Sequence, residues 1–86
     1  GEPRHAVQLV TRDGAVTNFD DVGCALRYLA DRQPAVHRLW FHGEGDDWIA
    51  ADRVGFVAAA VTPMGSGLVA VEASTPGARR LDEVQP

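Results

Sequence analysis

This 86-residue chain contains no lysine, a single cysteine and a single methionine. With Cys24 alone, an internal disulfide and any multi-cysteine zinc knuckle within these residues are excluded. The eight basic residues are all arginines, scattered from Arg4 to Arg80 with no basic stripe, against twelve acidic ones, for a net charge of −4. Nucleic-acid binding is disfavoured by that balance, because neutralising phosphates supplies most of such affinity. The longest apolar run, Val54 to Val61, is strand-sized and far short of the roughly 20 residues of a membrane span. No glycine-rich loop follows a strand and opens a helix, and Ser66, Cys24 and the histidines form no nucleophile elbow or triad signature, so no enzyme is expected. Glu44, Asp46 and Asp47 crowd one turn without the regular spacing of a calcium loop, and read as a solvated turn.

What is present is an ordinary globular composition, 45% hydrophobic and 23% charged. One small domain spanning 1–86 is expected, with a modest core and marginal stability unless a metal, partner or flanking segment helps. His5 to Thr11 and Ala15 to Phe19 are short β-prone runs joined across Asp13-Gly14, a pair that suits a two-residue turn and predicts a β-hairpin. Val22, Ala25, Leu26 and Leu29 then recur at helical spacing, giving one amphipathic helix that Asp20 or Asp21 can cap and Pro34 stops. Val36 to His42 predicts a third strand with Leu39 and Phe41 on one face. Trp48–Ala51 and Gly55–Val61 read as two strands or as one broken at Asp52-Arg53. Leu68 to Glu72 predicts a last clear strand, followed by a turn-like tail with a short strand at 79–84. This order, ββαβββ-like without βαβ alternation, predicts an α+β fold: an antiparallel sheet opened by a hairpin, with one helix packed on it.

Few residues carry distinctive chemistry. Met64 lies in the loop Thr62-Pro63-Met64-Gly65-Ser66-Gly67, outside any predicted strand or helix, and its thioether is a soft donor suited to Cu(I). Cys24 falls in the first helical turn, off the apolar stripe; the helix N-terminus favours its thiolate while Asp20 and Asp21 oppose it, and packing as a small buried residue is the alternative. His5, His37 and His42 show no metal-ligand spacing among themselves and read as surface histidines. His5 is the one kept as a candidate donor, because it starts the first strand and could face the sheet edge that carries the Met64 loop.

Three stretches in register, Phe19 to Leu29 (FDDVGCALRYL), Trp48-Ile49-Ala50-Ala51 and Thr62 to Leu68 (TPMGSGL), resemble the NosL family of nitrous-oxide reductase accessory proteins. The resemblance covers most of Glu2 to Glu72, the helix segment and the Thr-Pro-Met-Gly loop being its more specific pieces. It implies a Cu(I)-binding accessory protein, usually a lipoprotein of the bacterial cell envelope, that delivers copper for maturation of nitrous-oxide reductase. Met64 and Cys24 would take the places of the family's loop methionine and helix cysteine. A fold like the organomercurial lyase core is also implied, without its carbon–mercury cleavage, since one cysteine cannot both attack and chelate. The family's Cys-x-x-Cys-Gly-Met element, expected just before Glu2, is not among these residues: either the chain given begins just after it or the protein lacks it. The chain opens at Gly1-Glu2-Pro3 without methionine or leader pattern, as a processed chain would. A helix usual before the family's final strand has no room between Glu72 and Arg79. The competing expectation is a structural or protein-interaction module that keeps the fold without the metal.

Overall fold

In the computed structural model, residues 5–43, 47–58 and 67–85 are described. Strands β1 (Val7–Thr11) and β2 (Val16–Phe19) form the expected hairpin. Its turn holds three residues, Arg12 to Gly14, where the Asp-Gly pair suggested two. Gly14 N–H donates to Thr11 C=O at 2.9 Å and Thr11 N–H to Ala15 C=O at 3.0 Å, a type I turn closed by a residue in the left-handed region. Gly14 is that residue, at φ 90°. Asp13 stiffens the corner by accepting from the Thr11 hydroxyl and from Ala15 N–H.

Helix α1 (Val22–Arg32) starts at Asp21, whose extended backbone lets its carboxylate accept from Gly23 N–H at 2.8 Å, satisfying one of the free donors of the first turn. It ends where Gln33 turns left-handed, φ 45°, ahead of Pro34. Strand β3 (Val36–His42) then pairs antiparallel with β1, and β4 (Trp48–Ala50) with β3, giving a four-stranded sheet in the order β2-β1-β3-β4.

The remaining strands make a second sheet. β5 (Val54–Ala58) pairs antiparallel with β6 (Leu68–Glu72) and, on its other side, with the two-residue β7 (Arg79–Arg80). The Asp52-Arg53 interruption is therefore a real break between sheets: Ala51 to Arg53 turn, with Arg53 N–H on Ala50 C=O at 2.9 Å. The tail strand expected at 79–84 is extended only at its first two residues. Leu81–Val84 forms a helical turn, α2, because the Glu83 carboxylate accepts from Arg80 N–H at 2.8 Å.

Between the layers lies one core. Val7, Leu9, Leu39, Phe41 and Ile49 come from the inner face of the larger sheet, Val22, Ala25 and Leu26 from α1, and Val54, Phe56 and Ala70 from the smaller sheet. The fold is thus α+β, antiparallel throughout, with its strands divided between two sheets that share α1 as cover.

Candidate functional site

The alternation that buries Leu39 and Phe41 sends Arg38, Trp40 and His42 to the other side of β3. Register places Gln8 beside Trp40, and Ala50 beyond it, on that same side; His42 stands opposite Trp48. Both tryptophans of the chain therefore share the outer face of the larger sheet, where Gln8, Trp40 and Trp48 line a shallow hollow of about 300 Å³. Trp48 is 46% exposed. Beneath it His42 is buried, its ring meeting the indole edge to face at 5.1 Å. This corrects the surface reading of His42, which rested on its place flanking a strand without metal-ligand spacing: the cross-strand tryptophan covers it. The period-two alternation along β3 is the sequence signal for this outer face.

His5 is also buried, 8% exposed, which corrects its reading as a surface residue opening the first strand. The strand begins two residues later, at Val7. His42 N–H donates to Ala6 C=O at 2.9 Å, so the chain around His5 continues alongside the end of β3. Its Nδ1 is shut off from solvent, and no hydrogen-bond partner for it lies among the described residues. A buried ring nitrogen without a partner carries a desolvation cost of about 1–3 kcal/mol, which a metal or a donated proton would relieve. His37 is exposed, as expected.

Cys24 is half-buried on α1 and has a free thiol. It lines a groove of about 300 Å³ together with Phe19, Arg27, Tyr28, Asp31 and Arg32, not a pocket shared with His5. Met64 and its Thr-Pro-Met-Gly loop lie outside the described residues. Among the described residues no three His, Cys, Asp or Glu side chains come together as a group able to hold a metal. The smaller sheet contributes an ion pair at the surface, Arg53 to Glu72 at 2.9 Å, with both side chains well solvated.

No protein-family model, no curated protein and no solved structure matches this chain. Its chemistry rests on its own residues. No helix among the described residues is long and apolar enough to cross a membrane.

Proposed function

We propose that the domain binds copper(I) as a carrier or accessory factor, with His5 and Met64 as the donors this chain supplies. The observation that carries the reading is the buried Nδ1 of His5, which has no partner among the described residues. Neutral imidazole is a good ligand for copper, and a thioether favours the Cu(I) state over harder competitors. Two neutral donors fit an ion handed onward: they hold it without the charge that would make release difficult. The sequence resemblance supplies the destination, maturation of a copper enzyme such as nitrous-oxide reductase in the cell envelope, and the expectation of further cysteine donors upstream. Cys24, set in its own groove on α1, is assigned no share of the same ion.

Titration with Cu(I) against a competing chromophoric chelator tests this. Saturable binding is expected, weakened tenfold or more, about 1.4 kcal/mol, by either His5→Leu or Met64→Leu. Absence of saturable binding, both in this chain and in a version extended upstream, overturns it.

A second reading, a protein-interaction module without metal, is favoured by the outer sheet face on which the exposed Trp48 stands beside Trp40. Aromatic residues of this kind dominate binding energy at interfaces. Under this reading the His5 and Met64 substitutions leave partner binding intact while Trp48→Ala weakens it.

A further inference from the structure

We propose that the chain pairs with a second copy of itself through the outer edge of β2 and the adjoining side of α1. Strand β2 ends the larger sheet, and no described strand lies beyond it. Edge strands usually discourage pairing with charges, proline or bulges. Val16-Thr17-Asn18-Phe19 has none of these. Val16 is 54% exposed.

The hairpin fixes which groups face outward. Thr11 N–H bonds to Ala15 C=O, so the alternation of an antiparallel ladder makes Leu9–Thr17 and Val7–Phe19 the hydrogen-bonded pairs. The N–H and C=O groups of Val16 and Asn18 therefore point away from β1. A two-fold axis through Thr17 sets Val16 against the partner's Asn18, and Asn18 against the partner's Val16, each exchanging both main-chain bonds. Side chains keep their faces in this register, which a shift of one residue would not allow. The two four-stranded sheets become one.

Charge selects a copy of this chain as the occupant. Phe19 and Tyr28 meet with ring centroids 5.3 Å apart, tying α1 to the β2 edge, and the groove between them is bordered by Arg27, Asp31 and Arg32, the last lying over the Tyr28 ring. The pairing rests on the first two. These two are one helical turn apart and share a side of the helix. The same two-fold axis runs the partner's helix antiparallel, bringing Arg27 to the partner's Asp31 and the reverse. One patch thus complements itself, as an isologous interface requires.

Sedimentation equilibrium of the intact chain is expected to show a concentration-dependent dimer. Arg27→Asp, an exposed change that should leave the circular-dichroism melt within a few degrees, is expected to weaken association at least tenfold. Adding Asp31→Arg to it restores pairing by exchanging the charges. In a Cys24→Ala background, Thr17→Cys is expected to cross-link to itself on oxidation, because residues facing each other in a non-hydrogen-bonded pair have Cα atoms about 4.5 Å apart, within disulfide reach; Asn18→Cys, two residues out of register with its own copy, is expected not to. A monomer at every concentration overturns the proposal, as does a dimer indifferent to Arg27→Asp or one in which Asn18→Cys links and Thr17→Cys does not.

Discussion

Phe41 of β3 and Phe56 of β5 meet edge to face, ring centroids 5.2 Å apart and planes at 80°, and both rings are fully buried. Each belongs to a different sheet, so this contact joins the two sheets through the core. Phe56→Ala is expected to destabilise the fold by about 3–5 kcal/mol, measured as a lower urea midpoint. For a domain of this size that is a large share of the total stability. Phe56→Leu keeps most of the volume and should lose much less. Equal losses from the two variants would show that the edge-to-face geometry, not the filled volume, is what holds the sheets together.

Asp21 is wholly buried while capping α1. Asp21→Ala should cost about 0.5–2 kcal/mol for the cap alone, whereas Asp21→Asn or Asp21→Ser should recover most of it. Thermal melts of the three variants check this ranking.

Two glycines serve for different reasons, and alanine separates them. At Gly14 an added Cβ meets nothing within 4 Å, so only the positive φ opposes it; Gly14→Ala should cost about 1 kcal/mol. At Gly55 an added Cβ would lie 2.9 Å from Ala78 Cβ and 3.0 Å from Ala73 Cα. Main chain must move there, at a cost of about 1–3 kcal/mol. Urea unfolding at fixed pH measures both.

The hydrogen bond from the Thr11 hydroxyl, then that from Ala15 N–H, holds the Asp13 carboxyl below the ordinary aspartate range. A carboxylate whose pKa falls on folding stabilises the fold above the unfolded value, and that contribution fades as pH drops from the ordinary value of about 3.9 toward the lowered one. The gap in urea midpoint between the parent chain and Asp13→Asn is expected to be present at neutral pH and to close on acidification through that window. A gap that stays constant through it would contradict this account.

Local chemistry made the hairpin, α1, β3 and β6 legible in the sequence. Asp13-Gly14 signalled the corner, helical spacing marked Val22 to Leu29, and the bounds of β3 and β6 coincide with the apolar runs. The three-residue turn is not encoded in the pair itself, since Asp-Gly also closes three-residue turns and only the hydrogen bonds at Thr11 distinguish them. The division into two sheets is a matter of which strands pair across long separations, which no local pattern encodes: β5 joins Arg79–Arg80, some twenty residues on. The candidate site was less legible. Cys24 was expected off the apolar stripe or packed as a small buried residue, and it is half-buried; the burial of His5 and His42 comes from neighbours brought in by folding. Spacing along the chain carries no record of them.

Both indoles stand on one sheet face, away from the Phe41 and Phe56 rings. Tryptophan emission from this protein therefore reports the outer surface of a single β-ribbon, whereas near-ultraviolet dichroism from the phenylalanines reports the joint between the sheets. An emission change without a dichroic one marks an event on the surface, and only the two together mark loss of the fold.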